Sequence, residues 1–231
     1  MDLEPSATRA AQLRALIASR PAATAWFEGS LREVGPKFDE QRFQAAFSAA
    51  GRKLGRTPLD VTPAEAERLS AAGIDWPVHP WGTDELGRVA LLTSAFAQLA
   101  PEHAMALLDS CYSGADNRER QAILRALPFL PSQERFVPLA ADATRSNVLP
   151  VFEALACENP FPAEHLPELN FNQLVMKALF NGVKLSRICG LGRRVGPELS
   201  RMAGDYAAER RAAGRPVPAD IDLVLPGTPT H

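Results

Sequence analysis

The stretch ENPFPAEHLPELNFNQLVMKALFNG, residues 158–182, alternates prolines with an apolar helical pattern. Its three prolines do not belong inside a helix, because the proline ring removes a backbone N–H and clashes with the preceding turn. They close one helix and leave room only for the short element PAEHLP before the next helix. The apolar residues that follow have helical spacing and stop at Gly182, a common residue after a helix end. This stretch predicts helices joined by proline-bounded turns.

Helical spacing also dominates the rest of the chain. The segment ATRAAQLRALIAS repeats Ala and Leu three and four residues apart and stops at Pro21. The sequence TPAE, from Thr62 to Glu65, matches a capping box with proline at the first helical position. Further predicted helix caps are Thr83, Asp116 and Ser132. No segment shows a convincing strand pattern, so the predicted fold class is all-α.

Three pentapeptides in alternate helical elements share one form: ILRAL (123–127), VFEAL (151–155) and VMKAL (175–179). Helix pairs that recur every ~25 to 40 residues are typical of HEAT-like solenoids, in which stacked pairs bury a shared core. We therefore expect a HEAT-like helical-hairpin solenoid with an N-terminal helical extension. Chance recurrence is the alternative, because Ala-Leu is common in a chain rich in both residues.

Equivalent positions of stacked repeats line up on one surface. Arg125, Glu153 and Lys177 would then form a ladder of alternating charge across three neighbouring helices. One interpretation is ion pairing between repeats, which contributes roughly 0 to 1 kcal/mol at a surface. The other interpretation is the charged floor of a concave groove.

The composition along the chain predicts four segments. They are an N-terminal helical extension (1–60), a capped short helix with a Pro- and Trp-rich connection (61–82), an α-solenoid core (83–215) and an extended C-terminal tail (216–231). We expect Trp76 and Trp81 in the connection to pack onto the core. A ligand platform in this connection is the alternative. The tail is expected to be extended because its prolines exclude a helix.

A thin polar stripe runs along the helix that begins near Asn170. At about 100° per residue, its polar side chains fall on one line between apolar flanks. A solvated face would show a broad polar arc, so we expect neighbouring elements to enclose this helix. The stripe is then either an internal hydrogen-bonded network or part of a ligand- or partner-binding groove. The residues predicted for such a groove are Arg125, Glu153, Glu158, Asn159, His165, Asn170, Gln173, Lys177 and Asn181.

Two acidic residues before the stripe bear on the same question. Glu153 and Glu158 are five residues apart, which does not bring two side chains of one helix close enough for a carboxylate pair.

Arg120 falls on the apolar side of its own helix, unlike Arg118 and Arg125. A guanidinium there is expected to pair with a carboxylate, and Glu153 or Glu158 could supply it.

The composition is that of an ordinary globular protein, with 46% hydrophobic and 23% charged residues and a formal net charge of -2. This charge gives no electrostatic case for nucleic-acid binding. The cysteines Cys111, Cys157 and Cys189 lack CxxC spacing and predict buried thiols in a reducing compartment. The first residues do not form a secretory signal, and no apolar run reaches the roughly 18 residues of a membrane span. We expect a cytoplasmic protein without direct membrane insertion.

The sequence carries no recognisable catalytic signature. The segment GLGRRVG (190–196) resembles GxGxxG only loosely and follows no strand, and no HExxH, GxSxG or kinase motif occurs. None of the four histidines has a second ligand at metal spacing. We therefore expect no catalytic residue, no metal and no cofactor. An enzyme of unknown type is the alternative, in which His165, Glu153 and Lys177 would converge on a pocket.

Three segments give the chain a resemblance to the EboA-domain family: DNRERQAILRALPFLP, NVLPVFEALACENPFPAEHLPELNFNQLVMKALFNG and RMAGDYAAERRAAGRPVPADI. The resemblance covers roughly residues 83 to 221 and is most specific in the block 147–182. It implies a bacterial helical protein encoded in ebo-type gene clusters, which are linked to moving a small secondary-metabolite precursor across the inner membrane. Such clusters also encode a prenyltransferase-like membrane protein and several predicted enzymes. The family offers no established catalytic residues to carry over.

We therefore expect a non-catalytic helical binding or adaptor protein in the traffic of a small secondary-metabolite precursor. The resemblance implies other ebo-cluster proteins as partners, with the membrane prenyltransferase-like protein among them. Such a partner would hold the protein at the periphery of the inner membrane. A protein-interaction scaffold with a purely structural polar stripe is one alternative, and an enzyme in the same pathway is the other.

Overall fold

The computed structural model describes residues 3–225, and every regular element in that range is helical. The all-α prediction is therefore confirmed for the described residues. The α-helices are α1 (Leu3–Ala18), α2 (Pro21–Val34), α3 (Glu40–Leu54), α4 (Pro63–Ala71), α5 (Thr83–Phe96), α6 (Pro101–Gly114), α7 (Asn117–Ala126), α8 (Val137–Ala143), α9 (Leu149–Ala156), α10 (Phe161–His165), α11 (Glu168–Phe180), α12 (Leu191–Arg194) and α13 (Pro197–Ala212). Short 3-10 helices span Leu127–Phe129, Gln133–Phe136, Leu185–Arg187 and Ala219–Val224.

The chain divides into two compact units, unit 1 (Met1–Gln133) and unit 2 (Glu134–His231). This division falls inside the segment 83–215 that the sequence pattern groups as one core. The HEAT-like stacking of helix pairs stays a prediction.

Unit 1 is built around α5. Every residue of α5 from Asp84 to Ala95 is buried, and α1, α2, α3 and α7 pack against it. On α3, Phe43 and Phe47 lie one turn apart and stack with ring centroids 6.0 Å apart. Burying large apolar side chains of this kind is worth about 1.5–3 kcal/mol each, so this packing supplies much of the unit's stability.

The connection between α4 and α5 packs onto this core, as expected from its tryptophans. Trp76 and Trp81 are buried, and each meets the ring of Phe129 edge-on, with centroids 5.7 and 5.8 Å apart. Backbone hydrogen bonds hold the end of the connection, since Leu59 donates to the Trp81 carbonyl at 2.9 Å. The connection is therefore ordered despite its prolines.

Unit 2 buries α11 as its most apolar long helix. Phe171, Leu174, Val175 and Ala178 are fully buried, and α9, α13 and the 3-10 helix Leu185–Arg187 pack against α11. The prolines of the quoted stretch act as expected, since they bound the five-residue helix α10 between α9 and α11. One face of α11, which includes Leu169 and Phe180, remains exposed.

Two helix starts differ from the sequence expectation. The predicted helix SQERFVPLAADATRS is two elements, the 3-10 helix Gln133–Phe136 and then α8. Pro138 explains the break, because it fits the first turn of a new helix and would disrupt the interior of a continuous one. The cap of α5 is Gly82 rather than Thr83, and the Glu85 side chain accepts from the Gly82 N–H at 2.6 Å.

The tail prediction is corrected in part. The 3-10 helix Ala219–Val224 follows Pro218 and buries Ile221 and Val224. Proline excludes a helix interior but is compatible with the residue just before a helix, so a short helix forms directly after Pro218. The Asp220 carboxylate accepts a hydrogen bond from the Leu185 N–H and joins this helix to the 3-10 helix Leu185–Arg187. Residues 226–231 of the predicted tail lie outside the described residues.

Candidate functional site

An open cavity of about 380 Å³ lies beside α4 in unit 1. Its apolar lining includes the buried side chains of Leu69, Ile74, Trp76 and Val78. Small-molecule sites typically measure about 300–1,000 Å³ and combine mostly apolar walls with a few polar groups. The cavity has the size and the wall chemistry of such a site. We call it the α4 cavity.

Three polar side chains line the α4 cavity: Ser70, Asp75 and His79. The Ser70 hydroxyl donates to Asp75 Oδ1 at 2.7 Å, which orients the carboxylate. All three residues are exposed, so a molecule that enters from solvent can reach them. The cavity therefore offers a carboxylate, a hydroxyl and an imidazole next to an apolar surface.

The position of α4 is set by its N-terminal cap. The Thr62 hydroxyl accepts from the Glu65 N–H at 3.3 Å, and Glu65 accepts from the Thr62 N–H at 2.9 Å, which completes the predicted capping box. Glu65 also accepts from the Ser19 hydroxyl at 2.6 Å and forms an ion pair with Arg20 at 3.2 Å. These contacts join α4 to the end of α1 and fix one wall of the cavity.

An aromatic cluster with a bound guanidinium lies next to the cavity. The Arg9 guanidinium lies 5.3 Å from the centroid of the Trp76 ring and donates to the Pro128 carbonyl at 3.3 Å. Arg9 Nε and Trp81 Nε1 are buried, and neither has a hydrogen-bond partner among the described residues. Trp76 therefore contacts Arg9 and Phe129 in the core and also lines the cavity.

A buried ionic network occupies the start of α5. Asp84 and Glu85 are fully buried, and Arg118 bridges them with Nη2 at 2.6 Å from Asp84 and 3.2 Å from Glu85. Arg88 pairs with Asp84 at 2.7 Å, and Arg125 pairs with Glu85. Buried charges are costly unless they are paired and hydrogen-bonded, and these ion pairs meet that condition. We interpret this network as structural.

The arginines of α7 differ in two respects from the sequence expectation. Arg118 and Arg125, which the helical pattern places off the apolar side of α7, both pair with buried α5 carboxylates. Glu153 and Glu158, the carboxylates suggested for Arg120, pair with Arg187 instead. The Arg120 guanidinium lies 5.5 Å from the centroid of the Tyr112 ring. A cation over an aromatic face is stabilised by the ring quadrupole, and this supplies part of what the predicted carboxylate would have supplied.

In unit 2, Arg187 joins the two glutamates that the sequence pattern kept apart. Its Nη1 donates to Glu153 at 2.9 Å, and Nε and Nη2 donate to the two oxygens of Glu158 at 2.8 and 3.0 Å. Glu158 reaches this position because α9 ends at Ala156 and Glu158 itself has a φ of 47°. A positive φ is strained for a residue other than glycine, and the Glu158 N–H bond to the Arg187 carbonyl at 2.9 Å helps to maintain it.

Comparison with protein families gives one match. The family described as Metabolite traffic protein EboA matches residues 11–225. The chain belongs to the EboA family. No curated protein and no solved structure matches the chain. Membership in the EboA family associates the protein with metabolite traffic, and the match extends over unit 1 as well as over the block 147–182 on which the resemblance is most specific.

Most polar side chains of the predicted groove have structural partners in this EboA protein. Lys177 donates to the carbonyls of Thr144 and Ser146 at 2.9 and 2.7 Å, just beyond the end of α8. Its ammonium group also lies 5.2 Å from the Phe152 ring centroid, and burial lowers the pKa of Lys177. These contacts favour a structural role for Lys177. None of the nine predicted positions lines the α4 cavity.

The remaining positions of the stripe differ in exposure. Gln173 and Asn181 are exposed, Asn170 is half-buried, and the Asn181 amide donates to the Lys177 carbonyl at 2.8 Å. The apolar side chains Leu169 and Phe180 on the same helix are 66% and 61% exposed. Because they are eleven residues apart, they share one face of α11. This face of α11 is exposed to solvent. The assignment of a binding groove to the stripe stays a prediction.

Asn159 and His165 stabilise α10. The Asn159 side chain accepts from the Phe161 N–H at 3.0 Å and donates to the Ala154 carbonyl at 3.1 Å. The His165 ring packs on the Phe161 ring with centroids 4.8 Å apart, and burial lowers the pKa of His165. Glu153, Lys177 and His165 therefore contact different partners rather than one pocket wall.

The three thiols are chemically quiet. Burial raises the pKa of Cys111 and Cys157 to about 12 and that of Cys189 to about 11. A thiol is nucleophilic only as a thiolate, so these cysteines are poor nucleophiles at neutral pH.

Within residues 3–225 no group of three or more His, Cys, Asp or Glu side chains could hold a metal ion. Over the same residues, no helix has both the length and the apolar composition of a membrane span.

The sequence pattern pointed to α11 and missed the α4 cavity. The cavity combines α4 with the connection that contains Trp76 and His79, and its signal was the unusual segment IDWPVHPWG. The interpretation of that segment as a ligand platform was the alternative to a purely structural role. Arg187 was also missed, because nothing within helical spacing of KLSRICG identifies a carboxylate partner.

Proposed function

We propose that this EboA-family protein is a non-catalytic binding component in the traffic of a small secondary-metabolite precursor, with the α4 cavity as its ligand site. The observation that carries the proposal is the cavity itself, about 380 Å³ of mostly apolar space with three accessible polar side chains. Membership in a metabolite traffic family supports a small-molecule ligand over a structural void.

The surroundings of the cavity suit reversible binding. Its walls come from a capped helix and from a connection held by Trp76 and Trp81, so little ordering is needed when a ligand enters. A preformed site avoids part of the entropic cost of binding. The exposed rim leaves a route for release, which a carrier needs and which an enclosed structural cavity lacks.

A binding role fits the polar lining better than catalysis does. Asp75 already accepts a hydrogen bond from Ser70, and the two residues with His79 supply hydrogen bonds without a nucleophile poised by a base. We therefore propose recognition and transfer of an unaltered molecule. Partners encoded in the same ebo-type cluster, with the prenyltransferase-like membrane protein among them, would deliver or receive it in the bacterial cytoplasm.

The test compares two variants of α4 by native mass spectrometry. Ala66 lines the cavity, and Ala66→Trp fills it, whereas Ala64 lies on the same helix, is exposed and does not line the cavity. Each protein is purified from cells that also express the genes of an ebo-type cluster. We expect a bound small molecule on the wild type and on Ala64→Trp, and its loss from Ala66→Trp.

Circular dichroism melting curves ensure that both variants are folded. A small molecule that stays bound to folded Ala66→Trp would place the ligand elsewhere and contradict the assignment of the site. A wild-type protein with no small molecule under these conditions would contradict the carrier proposal.

A second candidate function is a protein-interaction scaffold, and the exposed face of α11 favours it. Leu169 and Phe180 are the two most exposed large apolar side chains of the described residues. We would coexpress the chain with the cluster's prenyltransferase-like membrane protein and compare recovery by the wild type, Phe180→Ser and the control Leu223→Ser. Loss of recovery only for Phe180→Ser supports the scaffold, and equal recovery for all three removes it.

A further inference from the structure

We infer that the α4 cavity selects an apolar molecule with a cationic amine rather than an anionic head group. This inference rests on the proposed function and adds the chemical class of the ligand. It follows from the charges that line the cavity and from the hydrogen bonds that remain open at Asp75.

Among the described residues that line the cavity, Asp75 is the one carboxylate, and none is a lysine or an arginine. A carboxylate beside a partly apolar surface repels a second carboxylate or a phosphate and attracts an ammonium group. The other polar lining residues, Ser70 and His79, can supply hydrogen bonds but provide no fixed positive charge. Anionic ligands would therefore enter without a counterion.

The Asp75 carboxylate is available on one side. Ser70 donates to Oδ1 at 2.7 Å, and within the described part of the chain no side chain or backbone group pairs with Oδ2. A charge-assisted hydrogen bond from an ammonium group is about twice as strong as one between neutral groups. Oδ2 is therefore the position where the head group of a bound amine would lie.

Arg9 contacts Trp76, a lining residue, and is a cation that could reverse this preference, but its other contacts argue against that. It does not line the cavity, its guanidinium faces the Trp76 ring, and its Nη1 donates to the Pro128 carbonyl. Its Nε is buried away from solvent. Arg9 is thus engaged with the aromatic cluster rather than with the cavity.

The apolar walls select the rest of the molecule. The lining side chains of Val61, Leu69, Ile74, Trp76 and Val78 offer aliphatic and aromatic contacts. A cavity of about 380 Å³ is near the lower end of the range of roughly 300–1,000 Å³ for small-molecule sites, so it suits a molecule with one or two rings. The expected ligand is an aromatic or alicyclic amine of that size.

The test uses three probes of the same shape: 4-phenylbutylamine, 4-phenylbutanol and 4-phenylbutanoate. Their affinities for the full chain are measured by isothermal titration calorimetry at pH 7.5 in low salt and in 0.5 M NaCl. We expect the amine to bind roughly tenfold more tightly than the acid in low salt, because attraction by Asp75 replaces repulsion. High salt should reduce this ratio, and the alcohol should fall between the two.

Two variants locate the effect. Asp75→Asn keeps the shape and removes the charge, so it should bring the three affinities to within about twofold of one another. Ala66→Trp should abolish binding of all three probes, while Ala64→Trp should bind them as the wild type does. Melting curves confirm that each variant is folded.

The possible failures are distinguishable. Equal affinities for amine and acid that are blocked by Ala66→Trp would overturn the amine preference and leave the α4 cavity as a binding site. Tighter binding of the acid would overturn it in the same way. Absence of binding for all three probes at millimolar concentration, or binding that Ala66→Trp leaves intact, would overturn both this inference and the proposed function.

Discussion

At the scale of single residues, Glu65 connects charge, stability and the α4 cavity. Burial alone would raise the pKa of Glu65, but hydrogen bonds from Ser19 and Thr62 and the charge of Arg20 outweigh burial and lower it from 4.5 to about 2. The folded protein therefore stabilises the ionised form of the Glu65 carboxylate more than the unfolded chain does. One side chain thus stabilises the helix that forms a wall of the candidate site.

The first prediction concerns Glu65→Gln. Above pH 4.5 the carboxylate is ionised in both states, so its full contribution is present, and the variant should lose about 1–3 kcal/mol of unfolding free energy at pH 7. As pH falls from 4.5 towards 2, the unfolded chain takes up the proton first, and the difference from the wild type should shrink. Urea unfolding followed by tryptophan fluorescence at pH 7, 4.5 and 3 measures it. A difference that does not change with pH would contradict the account.

The second prediction concerns Lys177, which donates to the Thr144 and Ser146 carbonyls. Lys177→Met keeps most of the apolar stem and leaves these acceptors without their donor, so we expect a loss of about 1–2 kcal/mol in unfolding free energy. Gln173→Ala on the same helix is the control, because Gln173 is exposed and should change stability by about 0.5 kcal/mol or less. Equal effects of the two substitutions in urea titrations would argue that Lys177 is not a structural donor.

At the scale of secondary-structure elements, α5 shows how a helix can be buried on all sides and still contain charges. Asp84, Glu85 and Arg88 occupy its first turns, where carboxylates near the N-terminus also interact favourably with the helix dipole. Arg118 and Arg125 from α7 complete the pairs. The network therefore fixes α7 against α5, in addition to the apolar packing between them.

The third prediction tests this network through Gly82. A Cβ at Gly82 would lie 2.5 Å from Arg118 Nη2 and 2.5 Å from Asp84 Oδ1, which is too close for either polar atom. Gly82→Ala should displace one side of the ion pairs and cost about 1–3 kcal/mol of stability. Gly204→Ala in α13 is the control, since nothing lies within 4 Å of its added Cβ and alanine favours helices by about 1 kcal/mol.

Melting temperatures of the two glycine variants give the answer. We expect Gly82→Ala to melt below the wild type and Gly204→Ala to melt at or above it. If Gly82→Ala melts with the wild type, the arginines can move without cost and the network does not hold α5 rigidly.

At the scale of the whole molecule, local stability should follow burial within each unit. In unit 1, α5 is buried from Asp84 to Ala95, whereas α4 buries only Glu65 and Leu69. Helices with few buried contacts open locally at lower free energy than central ones. We therefore expect α4, which forms a wall of the cavity, to open locally at a lower free energy than α5.

The fourth prediction puts this in terms of amide hydrogen exchange. Peptides from α5 should show the slowest exchange in unit 1, and peptides from α4 should exchange faster by at least tenfold, as measured by mass spectrometry after deuterium labelling. A ligand in the α4 cavity should slow exchange in α4 and leave α5 unchanged. Equal protection of α4 and α5 in the free protein would contradict this order.

The positions of most helices follow from the sequence alone. The Thr62 and Asp116 caps, the prolines that bound α10 and the periodicity of α1 are all local signals, and each one acts within a turn or two of the residue that carries it. Local hydrogen bonds and side-chain spacing decide such features before any tertiary contact exists. The mistakes, at Pro138 and at the 3-10 helix after Pro218, concern helix subtype and boundaries.

The candidate site depended on tertiary structure. Arg187 meets Glu153 34 residues away, and Arg125 meets Glu85 across a separation of 40 residues. The α4 cavity likewise exists only because α4 and the following connection fold around an unfilled space. Helical periodicity specifies which side chains share a face, but the packing of helices decides which faces meet. The sequence therefore determined the helices and the family, and only the packing decided which polar residues became structural and which remained open to a ligand.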